Sequence, residues 1–261
     1  AEWLPRVAAG EIACFGLTEP GSGSDSAGLQ TTATQTDNGW VLNGTKRYIT
    51  NSPFAKVGLI MARTSKENLP KNAHVSAFVV PFDAPGITIG KSDKKMGQSG
   101  SHIADVVMDD VRVGGEALLG GELGKGFAYA MMSLDNGRMS VGAAATAYAR
   151  RALDSAVRYA TERKAFGEPI ANFQLIQQML AQSEIDIYAA ECMMEDVTRR
   201  ADAGENVLRK AAAFKVFASE MCGRVVDACV QVYGGAGYLA EYDAERFFRD
   251  ARIYRIYEGT T

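Results

Sequence analysis

The stretch Tyr254-Arg255-Ile256-Tyr257-Glu258-Gly259-Thr260-Thr261 sets one carboxylate after an apolar, aromatic helix end and directly before a glycine. A glutamate at a helix C-terminus opposes the macrodipole, and an apolar setting raises its pKa toward the range of a general base. Glu258 is therefore the candidate proton acceptor. Gln231-Val232-Tyr233-Gly234-Gly235-Ala236-Gly237-Tyr238 places three glycines in four residues after an apolar helical pattern. One C-cap needs fewer, so the excess points to close backbone approach to another group.

Three further stretches carry polar groups at usable spacing. Thr18-Glu19-Pro20-Gly21-Ser22-Gly23-Ser24-Asp25 follows a strand pattern and ends in small residues whose backbone N–H groups suit an anion or a heteroaromatic ring. It fails the dinucleotide fingerprint, because a strand pattern follows and a third glycine is missing, and alone it reads equally as a surface turn. Tyr48-Ile49-Thr50-Asn51 puts an aromatic and a hydroxyl two apart on one strand face, suited to stacking on a flat heterocycle, although any half-buried strand has that pattern. Arg163-Lys164-Ala165-Phe166-Gly167, with Gln174 beyond it, sets a phosphate-capable guanidinium beside an aromatic between two helical patterns. A solvated helix end looks the same. Gly120 to Lys125 misses the P-loop spacing.

These groups need two kinds of scaffold. From about Gly10 to Val113 the pattern has period two, with strands expected over Ile12–Thr18, Leu29–Gln35, Trp40–Leu42, Val57–Arg63, Val75–Pro81 and His102–Met108. Asp37-Asn38-Gly39 and Asn43-Gly44 are tight-turn signals. From about Gly126 the period becomes helical, with long amphipathic helices broken at Gly167-Glu168-Pro169 and at Gly204, Asn172 as an N-cap, and a last helix over Ala244–Tyr257. The expected fold class is α+β: an antiparallel β barrel or sandwich over residues 1–115, then an up-down α-helical bundle over 116–261. Cys222 and Cys229 read as reduced thiols on a buried helix face.

Composition narrows the function. The 261 residues carry 28 Lys+Arg against 31 Asp+Glu, a net charge of −3 without a basic block, which gives no reason to expect nucleic acid as a partner. No apolar run is long enough for a membrane span. Two histidines and four scattered cysteines leave no metal site and almost no candidate for a histidine triad.

Taken together, F-G-L-T-E-P-G-S-G-S-D, Y-I-T-N, L-D-N-G-R, R-K-A-F-G…Q, Q-V-Y-G-G-A-G-Y and I-Y-E-G-T-T resemble the acyl-CoA dehydrogenases in order, spacing and context across essentially the whole chain. The resemblance implies a flavoprotein of fatty acid β-oxidation that removes a proton from Cα and a hydride from Cβ of an acyl-CoA thioester. The product is a trans-2-enoyl-CoA, FAD accepts the hydride, and an electron-transfer flavoprotein reoxidises it. Glu258 matches the catalytic base. Phe15, Leu17, Thr18, Gly23, Ser24, Tyr48, Ile49, Thr50 and Thr260 match flavin contacts. Arg163, Phe166 and Gln174 match holders of the pyrophosphate and adenosine, and Gln231, Gly234 and Gly235 match contacts to FAD across a subunit interface. Ser24, Phe127, Asp135, Arg138, Tyr257 and Gly259 resemble acyl-CoA contacts.

In some members the base sits just before the arginine of L-D-x-x-R, where this chain has Gly137, so it resembles the short- or medium-chain arrangement. A homotetramer, a dimer of dimers, is expected, with Met193, Met194, Val225 and Val226 supplying apolar surface between subunits. The expected location is the cytoplasm of a bacterium or, in a eukaryote, the mitochondrial matrix. Compared with the family pattern, the chain is expected to lack an N-terminal helical domain and the last C-terminal helix. Two alternatives share these residues: an oxidase-like flavoenzyme that uses O₂, and a non-catalytic CoA- or flavin-binding module.

Overall fold

Runs of Val, Ile and aromatic residues at period two become strands because one face of each is buried. In the computed structural model, which describes residues 3–64 and 71–261, a short helix α1 (Trp3–Ala8) precedes seven strands of one sheet. They are β1 (Ala13–Gly16), β2 (Thr32–Thr36), β3 (Gly39–Thr50), β4 (Val57–Arg63), β5 (Val75–Pro81), β6 (Ile87–Ile89) and β7 (Ile103–Val113). Neighbours run in the order β1-β4-β2-β3-β7-β6, with β5 also paired to β4. The sheet is mixed rather than wholly antiparallel, since β1 runs parallel to β4 from Ala13↔Val57 to Gly16↔Ile60 and β2 meets β4 in parallel at Thr32↔Arg63.

Asp37 and Asn38 form the two-residue β2–β3 turn, with Gly39 at φ 140°. Asn43-Gly44, expected as a second turn, lies inside the continuous β3 at a register shift between Leu42 and Gly44. A Cβ on Gly44 would stand 2.5 Å from Thr31 Oγ1, so glycine serves close approach here and not chain reversal. One core of this unit joins Ala33, Trp40, Leu42, Ile60, Phe78, Val80, Met108 and Val111, with Trp40 edge-on to Phe78 at 5.3 Å between ring centroids.

Lys46 on β3 is fully buried. Its Nζ donates to Glu19 Oε1 at 2.7 Å and to the Leu17 carbonyl at 3.2 Å, and the Glu19 carboxylate also accepts the backbone N–H groups of Gln30 and Thr31 at 2.5 and 2.9 Å. Burial pushes the Lys46 ammonium down to about 8 against the opposing pull of Glu19. Burial would raise the Glu19 carboxyl, but Lys46 and the hydrogen bonds outweigh it and the net shift is downward.

The second unit takes in Met96–Gln98 and Ser133–Thr261. Helix α2 (Gly126–Glu162) passes into it and is followed by a two-strand hairpin, β8 (Lys164–Ala165) and β9 (Glu168–Pro169). Then come α3 (Gln174–Asp202), α4 (Leu208–Tyr233) and α5 (Asp243–Ala251). Ala145, Ala149, Ala152, Ala156 and Ala160 form one buried stripe on α2, and their small side chains join a core with Ile187, Phe214, Met221, Val225 and Phe247. Gly204 at φ 76° follows the end of α3 as a C-terminal glycine.

Three helical expectations are corrected. Asn172 does not cap α3: its amide donates to Glu168 Oε2 at 2.6 Å, and Phe173 holds the cap position. The last helix is α-helical only to Ala251 and continues as a 3₁₀ turn over Arg252–Arg255. Val225 and Val226 are buried within the unit and Met193 and Met194 pack partly against the same core, so the two valines offer no surface to a second chain. No helix of the described residues is long and apolar enough to cross a membrane.

Replacing Lys46 by Met, with Glu19 left in place, strands a buried carboxylate without its cation. The expected cost is about 3–5 kcal/mol in urea unfolding, because a buried charge loses its partner. The double change Glu19→Gln/Lys46→Met should recover part of that loss.

Candidate active site

Beyond Arg255 the backbone turns left-handed, with Glu258 at φ 53° and Gly259 at φ 93°. For a glutamate this conformation costs about 1 kcal/mol or more and is held by its surroundings. Lys215 Nζ donates to the Gly259 carbonyl at 2.5 Å, Thr261 N–H donates to the Arg255 carbonyl at 3.1 Å, and the Thr261 hydroxyl donates to Glu220 Oε1 at 3.0 Å. Glu258 thus lies three residues past the 3₁₀ turn, and burial rather than the helix dipole governs its carboxyl.

That carboxyl is half-buried, and its Oε2 is buried without a hydrogen-bond partner among the described residues. Burial pushes its pKa above the ordinary value, while the Arg138 guanidinium and the Lys215 ammonium pull it back. Arg138 is shared with Asp135, 2.7 Å away. A Cβ on Gly137 would stand 2.4 Å from Glu258 Oε2, so the missing side chain makes the room the carboxyl occupies. Burial likewise raises the Tyr257 phenol, which Gln98 opposes by hydrogen bonding. Gln98 is held in turn, since its N–H donates to Asp250 Oδ1 while Arg249 Nη1 donates to the Met96 carbonyl at 2.8 Å.

Three of the residues expected to contact substrate, Asp135, Arg138 and Tyr257, therefore gather around the Glu258 turn together with Gly259. Thr260 is exposed beside them. Lys215 and Gln98 were not anticipated. Lys215 could have been found from its spacing, because Ala211, Phe214, Lys215 and Ala218 fall on one buried face of α4. Gln98 has no such signal.

In the sheet unit, Tyr48 stands exposed at φ 58° beside a bulge in β3, Thr50 is exposed two residues on, and the Arg47 guanidinium lies 5.0 Å over the Tyr48 ring. The Ile49 side chain is buried with Cys14 and Val106, so any cofactor contact from it falls to its backbone. Phe15 and Thr18 are half-buried, Leu17 is buried, Gly23 and Ser24 are exposed, and Phe127 is half-buried in the first turn of α2. The Thr18 carbonyl accepts Arg47 N–H at 2.8 Å, and the Leu17 carbonyl is held by Lys46, so the stretch that precedes Gly21 is anchored to β3.

Arg163 follows α2 and Gln174 opens α3, both exposed, while Phe166 at φ 54° is 97% exposed at the hairpin tip. At the far end of α4, Tyr233 stacks on Tyr159 with ring centroids 4.0 Å apart and shares a 2.9 Å hydrogen bond with Ser155. Gln231, Gly234 and Gly235 are left exposed just beside that stack.

Within each unit, residues stand open to a flat or phosphorylated ligand of the kind that FAD is. Gly21, Gly23, Gly234 and Gly235 have nothing within 4 Å of where a Cβ would stand, so their backbones are open to close approach. The Tyr48 ring offers a stacking face, and the exposed Arg163 guanidinium suits a phosphate.

The sequence model of the acyl-CoA dehydrogenase middle domain matches residues 14–111, and that of the C-terminal domain matches residues 124–261. The chain is 39% identical over 257 residues to a caffeyl-CoA reductase-Etf complex subunit of Acetobacterium woodii, covering 98% of this chain and 67% of that one. It is 40% identical over 260 residues to the mitochondrial short-chain specific acyl-CoA dehydrogenase of Homo sapiens, covering 99% of this chain and 62% of that one. It therefore spans about two thirds of the length of these relatives. The structure matches butyryl-CoA dehydrogenase from Megasphaera elsdenii at a TM-score of 0.94 and 41% identity, covering 98% of this chain and 66% of that one. An acyl-CoA dehydrogenase complexed with FAD from Bacillus anthracis matches at a TM-score of 0.92 and 38% identity, covering 99% of this chain and 47% of that one. By both domains and by its fold, this chain belongs to the acyl-CoA dehydrogenase family.

Proposed function

We propose that the chain carries out α,β-dehydrogenation of an acyl-CoA thioester to the trans-2-enoyl-CoA, with Glu258 as the base. The observation that supports this most directly is the unpartnered, buried Oε2 of a carboxyl whose pKa is raised. A carboxylate hydrogen-bonded on every lone pair would be a poor base, and one fully in water would be too weak against the α-proton of a thioester.

The Cα–H bond breaks and its proton passes to Glu258 Oε2, the Cβ–H bond breaks as hydride, and the C=C double bond forms. Bound FAD supplies the acceptor for that hydride. A backbone N–H beside Glu258 donates to the thioester oxygen as negative charge develops there. Arg138, neutralised in part by Asp135, and Lys215 stabilise Glu258 as a carboxylate before the transfer. Tyr257 covers the base. Thr18, Ser24, Tyr48, Thr50 and Thr260 are assigned to the flavin, with backbone contact from Phe15, Leu17, Gly23 and Ile49, while Arg163, Phe166 and Gln174 are assigned to the FAD pyrophosphate and adenosine, and Gln231, Gly234 and Gly235 to FAD of a neighbouring subunit in a homotetramer. Ser24, Phe127 and Gly259 join the acyl-CoA contacts.

Run backward, the same Glu258 delivers the proton to a 2-enoyl thioester, and the reductase name of the Acetobacterium woodii relative favours assaying both directions. That relative's place in an Etf complex supports an electron-transfer flavoprotein as the redox partner.

Glu258→Gln should retain FAD and bind acyl-CoA but slow anaerobic flavin bleaching by butyryl-CoA roughly a thousandfold. Bleaching at the wild-type rate would sink the assignment. Because burial raises the Glu258 pKa and only the ionised form accepts a proton, the wild-type bleaching rate should climb with pH through one titration lying above the ordinary glutamate value. The Glu258→Gln profile should lack that limb.

Gly137→Ala separates site from scaffold. Alanine gains roughly 0.5–1 kcal/mol of helix propensity over glycine, yet its methyl would enter the space of the Glu258 carboxyl. The variant should melt no lower than wild type and still lose bleaching rate.

A further inference from the structure

Lys215 is the one lysine among the largest fully buried side chains of the helical unit. It sits mid-helix on α4, between Phe214 and Ala218, where the spacing demands an apolar residue. Burying an ammonium there is unfavourable unless an acceptor compensates it. Its Nζ donates to the Gly259 carbonyl at 2.5 Å, the residue that follows the proposed base. The peptide so held is the one between Gly259 and Thr260, and it lies within a turn whose two left-handed residues, Glu258 and Gly259, have no regular secondary structure to support them.

We propose that Lys215 is a positioning residue for the base: its ammonium clamps the Gly259 carbonyl, and the clamp fixes the left-handed turn that presents the Glu258 carboxyl above Gly137. The assignment rests on the proposed role of Glu258 and deepens it. The clamp acts on the backbone, so it fixes where the carboxyl stands without taking up Oε2, which stays without a partner among the described residues.

The charge has a second effect in the same place. The groups facing Glu258 are Arg138, with Asp135 beside it on α2, and Lys215, with Glu220 five residues along α4, together with the Tyr257 phenol. Burial and Arg138 lower the Lys215 pKa, and Glu258 and Glu220 raise it. Lys215 in turn favours the ionised carboxyl, opposing the burial that raises it. Position and acidity of the base therefore share one side chain.

Two variants part these effects. Lys215→Met removes both donor and charge, and Lys215→Gln keeps a donor while removing the charge. Two readouts are independent of turnover: hydrogen exchange of the Tyr257–Thr261 backbone, and the carboxyl ¹³C titration of Glu258, assigned by its loss in Glu258→Gln. In Lys215→Met, exchange should be about tenfold faster and the titration midpoint should rise, because the cation that favours the ionised carboxyl is gone. Lys215→Gln should keep the exchange protection and show the raised midpoint. In both, the acid limb of flavin bleaching by butyryl-CoA should move up with the midpoint, which a merely structural loss would not do.

A folded Lys215→Met chain with wild-type exchange and midpoint would overturn the proposal, as would a loss of rate equal at every pH. If Lys215→Met does not fold, Lys215→Gln decides: a raised midpoint with retained protection supports the clamp, and an unshifted midpoint overturns it. Should wild type fail to be bleached by any acyl-CoA, the dehydrogenase reading falls, while exchange and titration still test the clamp.

Discussion

A lysine ammonium has three protons to donate, and where water does not reach it must find acceptors in the protein itself. In each unit of this chain one such lysine is solved with a backbone carbonyl. Lys46 donates to Leu17, at the start of the glycine-containing stretch that follows β1, and Lys215 donates to Gly259, beside the base. Carbonyls of loops are the groups that a fold otherwise leaves to solvent. A buried cation thus fixes an irregular segment in each unit.

The surrounding architecture supplies the burial. Lys46 is buried on β3 in a unit whose core holds large apolar and aromatic side chains, including Trp40 and Phe78. In the helical unit the alanine stripe of α2 shares one core with Phe214, Met221 and Val225 of α4, and Lys215 is buried on that same helix. Glu258 sits in the environment this creates. Desolvation pushes the carboxyl toward the protonated form and two cations push it back, so its acidity is a balance of opposing terms rather than the product of one.

Much of this was legible in the residues. Strands β4 and β5 have the boundaries that alternation predicts, and the long helices follow their apolar period. Glu258 was legible because a lone carboxylate in an apolar, aromatic stretch is chemically out of place. What failed to show were features set by tertiary approach. Asn43-Gly44 has the composition of a turn, but Thr31 lies against Gly44 and only glycine fits, so the strand runs through. Asn172 has the chemistry of a cap, but Glu168 claims its amide first. Val225 and Val226 look like surface only when α4 is considered without α2 and α5 around it. The parallel pairing of β1 with β4 joins segments more than forty residues apart and leaves no local trace.

The cysteines of the helical unit make it self-reporting. Burial pushes the thiols of Cys222 and Cys229 up to about 12, so the nucleophilic thiolate is a trace species at neutral pH, and both side chains are shielded as well. Cys192 on α3 is exposed. An alkylating reagent therefore meets Cys192 at once and the two others only when α4 opens toward solvent. The delay between those events is a clock for breathing of the helix that carries Lys215, recorded by native side chains without an added label.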